Sequence, residues 1–234
     1  MTYVDGGWQH LVDQLRVGLD RAGVPVVRAS ATAVRPVPDG WAIDVGEGDP
    51  ITARTVVLAV GSPAAESSLT GSATPVAGPA VEAVCLDLLL DRPAPTNSAF
   101  GLDVALYCSP HSTVARLAPD GHGLVSVMRY LGAGEDPEDP GTEQDRLVRF
   151  AAFAGVEPAS IRDRRYLHRM TVAHGMPVAA SGGLLGRPEV RVGPAGLFRA
   201  GDWVGETGML ADASAASATR AAVEAVAHCA KVDA

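Results

Sequence analysis

Near the start of the chain the apolar positions fall at helical intervals. Trp8, Leu11, Val12, Leu15, Leu19 and Ala22 recur every three or four residues, which predicts an amphipathic helix behind Asp5-Gly6-Gly7, stopped by Gly23. Residues 24–28 then read as a strand. Three short strands are predicted next, at 33–37, 41–45 and 51–54, separated by Pro38-Asp39-Gly40 and Gly46-Glu47-Gly48-Asp49-Pro50, both turn sequences. Trp41, Ile43 and Val45 alternate with Ala42 and Asp44, so a three-stranded meander with one buried face is expected. Residues 55–60 are continuously apolar and largely β-branched, the pattern of a central strand covered on both faces.

The pattern changes at 62–79, where Ser, Ala, Gly, Thr and Pro dominate and a connecting segment is expected. Strand-like runs follow at 81–90, 105–108, 113–117 and 124–130, with Pro119-Asp120-Gly121 as a turn; together they predict an antiparallel sheet. After an acidic loop at 132–141, Thr142 with Asp145 three residues on resembles a capping box. The helix it opens has Leu147, Val148, Phe150, Ala151 and Ala154 as its apolar stripe. A strand at 161–170 and an irregular stretch at 171–188 lead to a last short strand containing Leu197, Phe198 and Ala200. The fold class expected is α/β, of mixed α+β character.

That last strand ends in Gly201-Asp202, a loop spaced by Gly205 and Gly208, and a long helix rich in alanine and serine. Gly201 permits close backbone approach. Asp202 stands at the carboxyl end of a strand, where open α/β sheets take their ligands. The helix N-terminus behind it favours an anionic or carbonyl-rich group, and its small side chains leave room for something flat. Close packing of an alanine-rich helix on a sheet is the other reading. Lys231 is the only lysine, and Ala, Gly, Val, Pro and Arg abound. A compositional bias of this kind inflates alanine everywhere, so the weight falls on the Gly201-Asp202 turn.

This segment resembles the C-terminal flavin-binding signature of the FAD-dependent amine oxidase and phytoene desaturase-like superfamily, with Ser217-Ala218-Thr219-Arg220-Ala221-Ala222 at its end and alanine where that family carries glycine. The initial helix, Gly23 and the run at 24–28 are similar to the family's return into the flavin domain, and 55–60 with Gly61-Ser62-Pro63 to its strand end beside the cofactor. The resemblance implies a partial Rossmann-like FAD domain at 1–75 and 186–234, with an antiparallel-sheet substrate domain inserted at 76–185. It implies that Asp202 bonds the ribityl hydroxyls of FAD and that the backbone of Met209, Leu210 and Ala211 meets the pyrimidine edge of the ring. By the same resemblance Val34 lies at the adenine, and Ala59 and Gly201 lie beside the cofactor. The G-x-G-x-x-G turn of such proteins is absent: Gly6-Gly7 lacks both a preceding strand and a third glycine. The expectation is therefore a fragment, with association through surface that a missing first βαβ unit would cover.

The function implied is hydride transfer from a small apolar or amine-type substrate to FAD. The substrate-domain lysine of true amine oxidases has no counterpart before Lys231, which favours desaturase-like or isomerase-like chemistry, and no catalytic side chain is assigned. A non-catalytic subunit that keeps the fold without FAD, or a globular domain whose Gly-Asp turn is coincidental, remain as alternatives. Tyr107, His111, Tyr130, Tyr166 and His168 are available to line a pocket or to pack.

Composition narrows the rest. The 234-residue chain carries a net charge of −8 with no basic cluster, which gives nucleic-acid binding little support. No apolar run reaches membrane-spanning length and no leader pattern opens the sequence, so a cytoplasmic location is expected. Cys85, Cys108 and Cys229 fit neither a disulfide framework nor a zinc ribbon. The six histidines show no ligand spacing, so no metal is expected. There is no Gly-x-Ser-x-Gly elbow. Arg162, Arg164, Arg165 and Arg169 are expected to be solvated or ion-paired.

Overall fold

The computed structural model describes residues 3–46 and 48–232; Glu47 of the second predicted turn lies outside them. In chain order the elements are α1 (Gly7–Arg21), β1 (Ala31–Val37), β2 (Gly40–Val45), β3 (Ile51–Ala53), β4 (Val56–Leu58), α2 (Pro63–Thr70), β5 (Val81–Leu90), β6 (Ala99–Phe100), β7 (Leu106–Ser109), β8 (Gly123–Tyr130), α3 (Pro140–Phe153), β9 (Ile161–Ala173), β10 (Leu197–Arg199) and α4 (Ala211–Val232). They form two compact units, one of residues 1–26 and 82–172 and one of residues 27–81 and 173–234.

The first unit is a five-stranded sheet in the order β6-β7-β8-β5-β9 with α3 on one face. Alternation along β5 sends Val84, Leu86, Leu88 and Leu90 into a core completed by Cys108, Val125, Val127, Leu147, Ala151 and Val156. The stripe predicted for α3 is the one that packs. The helix starts earlier than Thr142, because Asp139 caps it by accepting from the Gly141 and Thr142 amides and Pro140 occupies its first turn. No strand forms at 113–117. The segment turns through a short 3-10 stretch at His111–Thr113, the Leu124 amide donates to Ser112 Oγ, and both backbone groups of Arg116 are taken by Asp5 and Gly6.

Helix α1 also belongs to this unit and buries no residue at all: Trp8 is 67% exposed and Leu15 62%. Its amphipathic pattern is real, but its apolar face lies open. Residues 24–28 form no strand. Val24, Val26 and Val27 are exposed and pair with no neighbour among the described residues, and a strand exists only through pairing.

The second unit contains the antiparallel meander β1-β2-β3, in which Val34 lies opposite Ile43. Beside it, β4 and β10 form a parallel ribbon. Val34, Trp41, Leu58 and Leu197 make the core shared by meander and ribbon, and α4 packs through Ala221 into a second core with Phe198, Trp203 and Val204. Residues 190–192 run antiparallel to β10, where the Arg199 amide donates to Val190 at 2.7 Å and the Val192 amide to Leu197 at 3.0 Å. Strand β10 is thus paired on both sides and β4 on one. Val57 is 39% exposed, so β4 is shorter and barer than the doubly covered strand its sequence predicts. The segment 62–79, expected as a connector, holds α2: Ser62 accepts from the Ala65 amide and Pro63 opens the first turn. No described helix is long and apolar enough to cross a membrane.

Candidate functional site

Because β4 and β10 run parallel with Leu58 opposite Arg199, their carboxyl ends emerge together, and Ala59, Gly201 and Asp202 follow directly. This is the end at which parallel strands present ligand sites. A buried ion pair ties it together. Arg199 Nη2 on β10 meets Glu66 Oε1 in the first turn of α2 at 2.8 Å, with side-chain exposures of 7% and 1%.

Gly201 has no room for a side chain, since a Cβ there would lie 2.5 Å from the Trp203 ring. Its amide donates to Ser217 Oγ at 3.1 Å, and the Ser217 hydroxyl lies 3.2 Å from the Gly201 carbonyl. The second turn of α4 is thereby fastened to the strand end. The chain then loops through Gly205 and Gly208, both at positive φ, to Leu210 at φ 52, the one non-glycine residue with positive φ among those described. A leucine in that region costs about 1–2 kcal/mol, and strain of this kind gathers where a backbone is held for a purpose. At the start of α4 the Asp212 and Ala213 amides donate to the Met209 carbonyl at 3.1 and 3.4 Å and the Ser214 amide to the Leu210 carbonyl at 3.0 Å. Met209, Leu210, Ala211, Ala215 and Ala218 are exposed, so the bare side of the helix expected from its sequence is open at this end.

Asp202 does not turn out to solvent; its side chain is 14% exposed. Oδ2 accepts from the His174 amide at 3.0 Å, and Oδ1 lies 3.1 Å from His174 Nδ1. The imidazole meets the Trp203 ring edge-on at 5.5 Å. Arg187, 6% exposed, donates from Nη1 to the Gly208 carbonyl at 2.9 Å and touches Met209 Sδ. Burial lowers its guanidinium from the usual range, and the charge of Asp202 opposes that shift. No spacing rule marks His174 or Arg187: both come from the irregular stretch before β10, and only the fold brings them to Asp202 and Gly208.

Val34 sits apart from the turn in character: it is 6% exposed in the meander core and its backbone belongs to the β1–β2 ladder. A hollow of about 230 Å³ lies at the amino end of β10, lined by Arg191, Gly196, Glu224, His228 and Lys231, the end opposite to the one where parallel strands take ligands.

In the first unit, the register puts Tyr107, Met128 and Cys85 side by side, with Tyr130 opposite Ala83 and Asp87 opposite Ser126. This is the sheet face away from α3. His111 stands at the same edge, its ring 4.9 Å from Tyr3; burial lowers its pKa against the pull of Asp87. Burial pushes the Cys85 and Cys108 thiols up to about 11. Tyr166 packs instead against the α3 core, and its hydroxyl bonds His168 Nδ1 at 2.8 Å. Arg169 is held by Asp136 and Glu82. No metal-ligating cluster occurs among the described residues.

No protein-family model matches the sequence, and no curated protein matches it either. The fold does match solved structures. Putrescine oxidase with putrescine bound superposes with a TM-score of 0.63 at 14% identity, over 95% of this chain and 53% of that one. An oxidoreductase from Methanosarcina mazei gives 0.62 at 15% identity, over 94% and 55%. An HpxO variant from Klebsiella pneumoniae in complex with FAD gives 0.50 at 17%, over 92% and 55%. The chain has the fold of the FAD-dependent oxidoreductases. It spans about half the length of these structures.

Proposed function

We propose that this chain is part of an FAD-dependent oxidoreductase that moves hydride from a small apolar or amine-type substrate to the flavin. The observation that carries the reading is a fixed carboxylate, Asp202, at the paired carboxyl ends of β4 and β10, with the open end of α4 behind it. In this reading Asp202 accepts hydrogen bonds from ribityl hydroxyls, and the α4 N-terminus with Met209, Leu210 and Ala211 faces the pyrimidine edge of the ring. Gly201 and Ala59 border the cofactor, and Val34 offers a backbone group to the adenine. The residues fit such a group: Asp202 keeps acceptor capacity beyond its two His174 contacts, the helix N-terminus carries the positive end of its dipole, and Ala211, Ala215 and Ala218 leave space along it. Held there, FAD supplies a two-electron acceptor ring. The sheet of the first unit, with Tyr107 and Tyr130 on the face away from α3 and His111 in the turn after β7, is the substrate-binding part.

The half-length match and the edge of β4 left without a partner among the described residues support a further element of the reading: a βαβ unit outside this chain completes the flavin domain and pairs with that edge. Titration of the purified protein with FAD, followed by flavin fluorescence, tests the cofactor assignment. Saturable binding lost in Asp202→Ala is the expected result. Binding unchanged in Asp202→Ala removes the ribityl assignment. Absence of binding with and without the complementing unit favours a subunit that keeps the fold without FAD.

A further inference from the structure

We infer that His174 is the positioning residue of the site: it locks the Asp202 carboxylate in the one orientation that a ligand's hydroxyl groups meet. The inference rests on the flavin reading above. An aspartate carboxylate turns about two torsions, and a solvated one at a strand end samples several orientations. Here both oxygens are engaged by a single residue, Oδ2 by the His174 amide at 3.0 Å and Oδ1 by Nδ1 at 3.1 Å. A two-point clasp stops rotation of the carboxylate, which one bond would not. It also assigns the ring: Nδ1 carries the proton that faces Oδ1, because a carboxylate only accepts.

The clasp is itself supported. Trp203, 2% exposed, presents its ring to the imidazole at 68°. Gly175, next to His174, lets the chain pass Trp203, whose Cβ would lie 3.3 Å from any Cβ added there. Trp203 in turn fills the space that Gly201 leaves. Asp202, its holder and the wall behind them thus form one packed assembly, with 14% of the Asp202 side chain exposed. Preorganisation of this kind raises affinity by removing the cost of ordering the group on binding.

The test uses His174→Ala, which keeps the amide contact and loses the ring, and His174→Asn, whose side-chain N–H falls where Nδ1 was. FAD binding to the full chain is followed by flavin fluorescence, with Asp202→Ala as reference and thermal melting as the folding control. His174→Ala is expected to weaken FAD about tenfold, the loss of one charge-assisted bond, while His174→Asn stays within about threefold of wild type. If His174→Ala binds as wild type does while Asp202→Ala does not, the positioning role is refuted and the flavin reading stands. Equal losses in the Ala and Asn variants also refute it, since a merely structural histidine would give that result. A wild-type protein that takes up no FAD overturns the flavin reading and this inference with it.

Discussion

Glutamine in place of Glu66 isolates the ion pair beneath the strand ends. Glu66 and Arg199 have side chains only 1% and 7% exposed and share one contact of 2.8 Å, while Glu66 Oε2 and Arg199 Nε find no hydrogen-bond partner among the described residues. Removing one member of a buried pair typically costs about 3–5 kcal/mol, because the other charge is left unpaired. Glutamine keeps one acceptor, and the pair is joined by a single bond, so the lower end applies, about 3 kcal/mol. For a chain of this size each kcal/mol moves the midpoint by roughly 2–4 °C, giving a fall of about 6–12 °C. Trp41 and Trp203, both buried in the same unit, report the transition by fluorescence. The double variant Glu66→Leu with Arg199→Met removes both charges and is expected within about 1 kcal/mol of wild type. A single variant melting within about 2 °C of wild type would refute the reasoning, as would a double variant less stable than the single one.

Other consequences are open to measurement. Burial acts to raise the Glu143 carboxyl, but the hydrogen bonds and charges of Arg129 and Arg146 and the Glu138 amide outweigh it and hold the pKa low. A depressed folded pKa means the unfolded chain binds the proton first, so stability present above the ordinary carboxylate range of about 4.3 drains away as pH falls through the folded value. Urea midpoints taken at decreasing pH should show this slope, and Glu143→Gln should flatten it. Gly201→Ala places a methyl 2.5 Å from the Trp203 ring and should cost about 1–3 kcal/mol; calorimetry showing no loss would contradict the packing. Leu210→Gly relieves the φ 52 backbone and should raise stability by about 0.5–1 kcal/mol, read as a higher melting point. Trp8→Gln with Leu15→Gln should increase the monomer fraction in light scattering if the open face of α1 drives association; an unchanged distribution argues against that role for α1.

Where an element carries its own local pattern, the sequence could be read directly. The meander strands with their intervening turns, the apolar runs of β5 and β8 and the stripe of α3 show this, although β5 finds its partner β8 only beyond β6 and β7, and in β2 Ala42 is buried beside Trp41 where alternation had put it on the other face. Residues 55–60 misled for the opposite reason. A β-branched run states that burial on both faces is suitable, not that a partner is present, and among the described residues β4 pairs with β10 alone. The same holds for 24–28 and for the apolar side of α1. Helix α2 and the true start of α3 were legible in principle, in Ser62-Pro63 and Asp139-Pro140, where a capping side chain precedes a proline; composition concealed the first, and a competing Thr142 signal the second. At the candidate site, Gly201-Asp202 stood out because a glycine and an acid at a strand tip are locally unusual. His174 and Arg187 did not, because a lone histidine and an arginine before proline carry no pattern until the chain folds back on itself.

Helix α4 has one more use. It ends beside the chain's only lysine, exposed Lys231, and from Ala211 to that residue it rises roughly 30 Å, at about 1.5 Å per residue. With the terminal amine blocked, an amine-reactive dye would therefore attach at a single defined spot, one rigid rod-length from the open end of the helix. The protein carries its own molecular ruler, and energy transfer along it would report arrival of any coloured ligand at the far end without a single substitution.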